Sequence, residues 1–243
     1  MALPKLNVPV YETVLPSTEK VIKYRPFLVK EEKILLTALE AGDTKALSVA
    51  VKQIVNNCVQ EEIDVNTLPT FDIEYLFLRL RAKSVGEKVT IGLKPWGCPN
   101  NEGKLCENST SVEIDLEEVK VNKDKTSSSK IMLDDKIGIK MKYPDINAIN
   151  SINLSGPSTE QAGLDIIKDC IDMIYTAEDM WEKNSIKDEE LDEFIDSLSS
   201  QQFKLIKDFF DNMPVLKHTV KYKCETCGEE KETTLQGLDS FFG

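Results

Sequence analysis

The sequence predicts an α+β protein in which helical lobes are combined with antiparallel β-hairpins. Three observations support this fold class. Apolar residues recur at the helical spacing of three and four in the N-terminal third and again after Pro157. Between Val89 and Tyr143, and again from His218, the spacing changes to two, which is typical of half-buried strands. Four of the six cysteines lie in turn-like segments between such strands.

The composition is that of an ordinary globular protein. The chain has 243 residues, of which 41% are hydrophobic and 30% charged, enough for one large domain or two small ones. No apolar run is long enough to cross a bilayer, and the first residues lack the apolar block of a signal peptide. The net charge of −12 disfavours non-specific nucleic-acid binding, because proteins that track phosphates carry excess positive charge.

The N-terminal part predicts a hairpin followed by three helices. Two short strand-like runs in residues 10–25 flank a turn at Pro16–Glu19. Amphipathic helices are predicted over Glu31–Leu39, over Thr44–Val59 and after Thr70. We expect their apolar faces to pack together as one lobe, the first helix contributing Ile34, Leu35, Ala38 and Leu39.

Strands and helices then alternate in blocks. Strands are predicted over Val89–Leu93, Ser111–Val121 and Ile131–Tyr143, with a lysine-rich loop at Lys123–Lys130. Helices are predicted over Ala162–Tyr175, Asp188–Leu198 and a segment from Ser199 to Pro214; Ser158 with Gln161, and Ser199 with Gln202, match the capping-box pattern. The last strands are predicted at His218–Lys223 and Lys231–Leu235.

The cysteines fall into two classes. Cys58 and Cys170 lie within amphipathic helices, where a free thiol behaves as a small hydrophobic side chain. Cys98, Cys106, Cys224 and Cys227 instead lie at the predicted tips of two hairpins. Four thiolates can hold Zn²⁺ in a closed tetrahedron, so these residues predict one structural Zn²⁺ per chain and no open position for substrate.

The long interval between the two cysteine pairs is the difficulty for this interpretation. Because 117 residues separate Cys106 from Cys224, the site requires a split zinc ribbon with a long helical insertion. A disulfide, a redox Cys-x-x-Cys and unligated thiols are the alternatives. Without a signal peptide a structural disulfide is disfavoured, and a redox motif normally opens a helix rather than joining two strands.

These segments together predict three domains. Residues 1–88 form an N-terminal hairpin with a helical lobe, residues 89–143 and 215–243 form the β-rich split zinc ribbon, and residues 144–214 form the helical insertion. No enzyme is expected. The chain has a single histidine, His218, and lacks nucleotide-binding, metalloprotease and nucleophile-elbow motifs.

Several segments occur in the order found in one viral family. They are KYRPFLVKEEKILLTALE, FDIEYLFLRLRAKSVGE, WGCPNNEGKLC and MPVLKHTVKYKCETCGEEKETTLQGLDSFF. The chain resembles the baseplate hub subunit, or hub assembly protein, of T-even-type contractile-tailed bacteriophages from about Pro4 to Phe242. This resemblance implies a non-enzymatic component of the virion tail baseplate, assembled in the host cytoplasm. It implies other baseplate and hub proteins as partners, with no small-molecule substrate.

A second hypothesis is a cellular zinc-ribbon adapter of the transcription or translation machinery. Ribbons that bind nucleic acid usually surround their cysteines with basic and aromatic residues, whereas here glutamates dilute the nearby lysines. The carboxylates therefore favour a protein partner.

The apolar C-terminal residues Leu238, Phe241 and Phe242 are unusual for a free terminus. We expect them either to fold back onto the chain or to anchor a neighbouring subunit.

Overall fold

The computed structural model describes residues 6–94, 109–123, 128–151 and 159–241. Seven α-helices lie in this part of the chain: α1 Val29–Ala41, α2 Thr44–Cys58, α3 Thr70–Ser84, α4 Ile146–Ser151, α5 Thr159–Cys170, α6 Asp188–Asp196 and α7 Ser200–Asp211. Eleven strands are described: β1 Tyr11–Val14, β2 Val21–Tyr24, β3 Lys88–Leu93, β4 Thr110–Asp115, β5 Lys120–Asn122, β6 Lys130–Met132, β7 Gly138–Met141, β8 Ile171–Tyr175, β9 Met180–Glu182, β10 Val215–Lys223 and β11 Glu230–Gln236. Their pairing is antiparallel throughout these ranges, which confirms the α+β class.

The chain forms two compact units, and each is discontinuous in sequence. Unit 1 comprises Met1–Val65, Phe71–Asn122 and Val215–Gly243, and unit 2 comprises Asn66–Thr70 and Lys123–Pro214. The predicted three-part domain division stays a prediction. Within the described ranges no helix combines the length and the apolar content needed to cross a membrane.

Unit 1 begins with the predicted hairpin, which the structure confirms. Strands β1 and β2 pair in register from Tyr11 with Tyr24 to Val14 with Val21. The turn closes with a hydrogen bond from the Leu15 amide to the Lys20 carbonyl, at 2.9 Å. Glu19 supplies the left-handed residue of this turn, with φ of 58°. Because Ile22 is buried, the hairpin contributes one face to the core of unit 1.

Helix α3 is the central helix of unit 1. Its buried apolar residues lie on several sides of the helix rather than on one stripe: Phe71, Ile73, Leu76, Phe77, Leu78, Leu80 and Ala82. A helix that is apolar on most sides is stable only when neighbouring elements surround it. The core of unit 1 therefore lies around α3.

Helices α1 and α2 form a helical hairpin, but the predicted packing of the first helix is only partly correct. Gly42 ends α1 in the left-handed region with φ of 64°, and Asp43 caps α2 by accepting a hydrogen bond from the Lys45 amide. Of the four apolar residues expected to be packed, Ala38 is buried, whereas Leu39 is 47% exposed. Helix α1 thus carries more apolar surface than this unit covers.

The strand predicted over Ser111–Val121 is wrong as a single strand. It is divided into β4 and β5 by a turn in which Asp115 Oδ1 accepts a hydrogen bond from the Glu117 amide, at 2.9 Å. Leu116 and Val119 are completely buried in this turn. The break lets β5 leave β4 and pair with β10, which makes the three-stranded sheet β11–β10–β5. The alternation of the sequence itself changes phase at this turn, from Val112, Ile114 and Leu116 before it to Val119 and Val121 after it.

Unit 2 contains the four-stranded sheet β6–β7–β8–β9. The strand predicted over Ile131–Tyr143 is likewise two strands, because Asp134 Oδ1 accepts hydrogen bonds from the amides of Lys136 and Ile137, both at 2.7 Å. The core of the unit joins the sheet to α5, α6 and α7: Leu133, Ile139, Met141, Ile167, Cys170, Ile171, Ile174, Leu191, Ile195, Ile206 and Phe209. The capping box of α7 is confirmed, with Gln202 and Ser199 bonded to each other's backbone amides.

The helix predicted over Ala162–Tyr175 is also corrected. Helix α5 ends at Cys170, and the next five residues form strand β8, which pairs with β7. Gly138 of β7 lies opposite Tyr175, and a Cβ at Gly138 would clash with the tyrosine ring. The segment predicted as a purely helical insertion therefore contains two strands, because pairing with β7 stabilises Ile171–Tyr175 more than continuation of the helix.

Candidate functional site

The predicted zinc ligands Cys224 and Cys227 lie in the tight turn that joins β10 to β11. Seven residue pairs hold these strands together, from Lys217 with Gln236 to Lys223 with Glu230. The turn closes with two backbone hydrogen bonds: the Cys224 amide donates to the Glu229 carbonyl at 2.9 Å, and the Gly228 amide donates to the Cys224 carbonyl at 2.7 Å. The predicted hairpin tip is therefore confirmed for this pair.

The two cysteines pack against each other. Cys224 is only 1% exposed, whereas Cys227 is half-buried. Gly228 follows them with φ of 75°, a conformation that glycine adopts without steric cost and that folds the chain back after the second cysteine. The turn thus brings two sulfur atoms to one side of the hairpin end.

The second predicted hairpin lies against this turn. Strands β3 and β4 pair from Lys88 with Asp115 to Leu93 with Thr110. At the start of β4, Thr110 Oγ1 accepts a hydrogen bond from the Glu225 amide, and the Ser111 amide donates to Glu225 Oε1, both at 3.2 Å. Two hairpins that are distant in sequence therefore meet at the Cys224–Cys227 turn.

The other two predicted ligands, Cys98 and Cys106, lie outside the described residues. Within the described ranges, no group of three or more His, Cys, Asp or Glu side chains has the arrangement of a metal site. The structure thus brings together Cys224 and Cys227, with the start of β4 beside them. The four-cysteine set stays a prediction.

Cys58 of α2 and Cys170 of α5 are completely buried. Burial raises the pKa of the Cys58 thiol to about 11 and that of the Cys170 thiol to about 12. Such thiols stay protonated at neutral pH and are therefore poor metal ligands. Their position agrees with the interpretation of these two residues as core side chains.

Charged side chains near the turn are largely matched across the strands. Lys221 pairs with Glu232 at 3.6 Å and Lys223 pairs with Glu230 at 3.4 Å. On the same hairpin, Lys231 Nζ lies 2.9 Å from a carboxylate oxygen of Glu229. The surface around the turn is therefore a mixture of both charges rather than a basic patch.

Sequence reasoning missed a charge cluster in unit 1 that is centred on the buried Arg79. Arg79 of α3 donates from Nη1 to Glu117 at 2.8 Å and from Nη2 to the Val119 carbonyl, while its guanidinium lies 4.7 Å from the centre of the Tyr75 ring. Lys83 lies 3.2 Å from the same Glu117 carboxylate. The cluster links α3 to the turn between β4 and β5. The feature of the sequence that could have indicated this cluster is Arg79, a charged residue between two buried leucines of an apolar helix.

This cluster borders a cavity of about 360 Å³, which Tyr11 and Tyr24 also line. Burial and the nearby Glu117 carboxylate raise the pKa of Tyr24 to about 12, so its hydroxyl stays protonated. The cations of the cluster already face a carboxylate of the same unit. Its contacts therefore describe a structural link between elements rather than a vacant anion site.

A second feature that the sequence did not reveal is an open groove between α1 and α2. It has a volume of about 630 Å³, and four of its ten lining residues are alanines. Val49 of this lining is 55% exposed. The feature of the sequence that could have indicated the groove is the excess of apolar residues on α1, which also carries the exposed side chains Leu36 and Leu39.

The chain matches a known protein family. The family described as T4 bacteriophage base plate protein matches residues 8–243. The matched range contains both hairpins at the cysteine turn, the α1–α2 groove and the whole of unit 2. No curated protein and no solved structure gives a significant match.

Proposed function

Because the chain belongs to the family of T4 bacteriophage base plate proteins, we propose that it is a non-enzymatic component of the central hub of a contractile-tail baseplate. The family supports a structural baseplate protein located in the virion tail. The hub is the finer part of the proposal, and it rests on the resemblance of several segments to hub subunits. Assembly in the host cytoplasm and docking to other baseplate proteins belong to the same proposal.

The observation that carries this function is the family match over residues 8–243, nearly the whole chain. A match of this length includes the elements that expose apolar surface, such as the α1–α2 groove, rather than one small module. Exposed apolar grooves commonly serve as interaction surfaces. The described features therefore favour a protein that acts by docking.

The proposal includes one structural Zn²⁺ held by Cys98, Cys106, Cys224 and Cys227. The described half of the donor set fits a thiolate site, because Cys224 and Cys227 lie together in a glycine-ended turn. Cys106 stands four residues before Thr110 in the sequence, and four residues of extended chain span at most about 14 Å. The contact between Thr110 and Glu225 therefore supports a shared site despite the long interval.

Such a zinc ion would be structural. Four thiolates fill its coordination sphere, so it offers no position for a water molecule or a substrate. Its role would be to connect the β3–β4 and β10–β11 hairpins, which otherwise meet through the backbone of Ser111 and the side chains of Thr110 and Glu225. Metal binding would then stabilise unit 1, because the ligands come together only in the folded chain.

The alternative, a cellular zinc-ribbon adapter, has less support. Three lysines of the β10–β11 hairpin are paired with glutamates, namely Lys221 with Glu232, Lys223 with Glu230 and Lys231 with Glu229. A ribbon that binds nucleic acid needs unpaired basic residues for the phosphates. The family match also favours the phage component.

The test is complementation of a phage that lacks this gene. We expect electron microscopy to show lysates without complete baseplates, and the wild-type gene supplied in trans to restore them. An antibody against a short epitope tag on the protein should label the centre of the baseplate, or of isolated hub complexes if the protein leaves before assembly ends. Normal baseplates in the absence of the gene would contradict the proposed function, and peripheral labelling would contradict the hub.

A further inference from the structure

The groove between α1 and α2 has the form of a helix-binding site. Its apolar lining is Ile34, Ala38, Ala41, Ala46, Val49 and Ala50. Four of these residues are alanines, whose methyl side chains fill little of the space between the two helices and so leave the groove open. Larger side chains of a third helix could interdigitate there, as ridges of side chains pack into grooves between turns. The groove is therefore shaped for long apolar side chains supplied from outside.

The groove differs from an ordinary helix–helix contact because a large apolar side chain in it is exposed to solvent. Val49 is 55% exposed, although it is a large aliphatic residue on a helix that has a buried face at Val51, Ile54 and Val55. Leaving such a side chain in water forgoes the free energy of burying it. A partner that covers the groove would recover that free energy.

The charges at the groove specify the chemistry of the partner. Lys33 and Lys45 line it, and no carboxylate does so in the part of the chain that the structure describes. Neither ammonium group takes part in an ion pair within the described ranges. This positive rim contrasts with the net charge of −12 for the chain. Complementarity therefore favours carboxylates beside the apolar side chains of the occupant.

We propose that the α1–α2 groove binds an amphipathic helix of another protein, with an apolar stripe of large side chains and Asp or Glu residues along its flanks. Among the described helices, the amphipathic helices α6 and α7 do not supply that occupant. Acidic α6 already buries Leu191 and Ile195, and α7 buries Ile206 and Phe209. The inference rests on the proposed function, because it identifies the kind of partner that the docking component holds.

The experiment measures binding of two designed peptides to the purified full-length protein by fluorescence anisotropy. Both peptides carry the same leucine stripe at helical spacing, but one has glutamates and the other has lysines along its flanks. We expect the glutamate peptide to bind more tightly and to weaken as salt is raised. The double variant Lys33→Glu/Lys45→Glu should weaken it about tenfold and should favour the lysine peptide instead.

Two further variants test whether the groove itself is the site. Ala41→Trp places an indole in the groove, so it should reduce binding of both peptides. The matched control is Lys204→Glu/Lys207→Glu, which makes the same charge change on the exposed face of α7 and should leave binding unchanged. Circular dichroism of each variant identifies any that fails to fold, and the reversed peptide preference cannot arise from unfolding.

Several results of these experiments would contradict the proposal. Equal affinity for the two peptides, or loss of binding in the α7 control as great as in the groove variant, would overturn the proposal. Concentration-dependent dimers that Ala41→Trp abolishes would assign the groove to a second copy of this chain and also overturn it. If neither peptide binds while the phage still needs the gene for its baseplate, the groove inference fails and the proposed function stands.

Discussion

The backbone amide of Glu225 donates a hydrogen bond to Thr110 Oγ1 over 3.2 Å, although the two residues are 115 positions apart. Thr110 is almost completely buried at the first position of β4, and Glu225 stands between the two cysteines of the β10–β11 turn. One hydroxyl therefore joins the end of one hairpin to the tip of the other. A second hydrogen bond, from the Ser111 amide to Glu225 Oε1, joins the same two elements.

Replacing Thr110 with valine should destabilise unit 1 without removing any predicted ligand. Valine keeps the shape of threonine but offers no acceptor, so the Glu225 amide loses its partner at a cost of about 0.5–1.5 kcal/mol. Chemical denaturation followed by circular dichroism measures this change. Thr219→Val is the control, since Thr219 pairs with Thr234 at an exposed position of the same sheet. If the two changes lower the free energy of unfolding equally, the buried Thr110–Glu225 hydrogen bond contributes no more to stability than the exposed one.

Purified protein should contain one zinc per chain by elemental analysis. Cys224→Ser should remove the zinc and lower the melting temperature by on the order of 10 °C, because metal binding closes a long loop in the folded chain. Cys58→Ala and Cys170→Ala should leave the zinc content unchanged, since those thiols are buried and protonated. A folded, metal-free wild type in which the four turn cysteines react freely with a thiol reagent would disprove the site.

Glu74 should make the stability of unit 1 depend on pH. Burial and the nearby Asp239 raise the pKa of its carboxyl from 4.5 to about 7, although the Leu238 amide opposes this by donating a hydrogen bond. The folded state therefore holds a proton that the unfolded state releases near pH 4.5. The resulting stability is complete below that pH and is lost as the pH rises to about 7.

The variant that tests this assignment is Glu74→Gln, whose side chain stays neutral and can still accept a hydrogen bond from the Leu238 amide. At pH 8 it should be more stable than the wild type by on the order of 1–2 kcal/mol, and its stability should change less between pH 4.5 and 7. Urea denaturation across this range measures both effects. Glu193→Gln, at an exposed position of α6, should keep the pH dependence of the wild type. Parallel pH profiles for the wild type and Glu74→Gln would refute this assignment.

Phe241 should stabilise unit 1 rather than act as a free anchor. It ends a short 3₁₀ helix, Leu238–Phe241, and is completely buried. Phe241→Ala should therefore cost about 3–5 kcal/mol by leaving a cavity. Thermal melting measures this loss, with Leu205→Ala on the exposed face of α7 as the control. Loss of baseplate incorporation with an unchanged melting temperature would instead support the anchor role. Phe242 lies outside the described residues.

Local signals in the sequence predicted much of the secondary structure. The turn at Pro16–Glu19, the Gly42–Asp43 break between α1 and α2, and the Ser199–Gln202 capping box each act within a few residues, and the structure has all three. The Cys224–Cys227 turn is of the same kind, because its closing hydrogen bonds join residues close in sequence. Short-range chemistry of this sort needs no information about the rest of the chain.

Wrong boundaries occurred where distant residues compete for the same segment. Residues 171–175 continue the apolar pattern of α5, but they pair with β7 as a strand. Residues 111–121 have the apolar spacing of strands on both sides of Glu117 and Glu118, but the last two of them pair with Leu216 and Lys217 of β10. A strand partner contributes hydrogen bonds and burial that the local pattern does not encode, so only the folded chain decides between the alternatives.

The sequence by itself determined the α+β class, the hairpins and helices with strong local signals, and the separation of the core cysteines Cys58 and Cys170 from the turn cysteines Cys224 and Cys227. The tertiary structure alone decided that β4 meets the Cys224–Cys227 turn, that Arg79 links α3 to Glu117, and that the α1–α2 groove stays open. These contacts join residues that are distant in sequence or depend on which surfaces remain uncovered. Periodicity shows that a residue is suited to burial, but the packing of the whole unit decides what covers it.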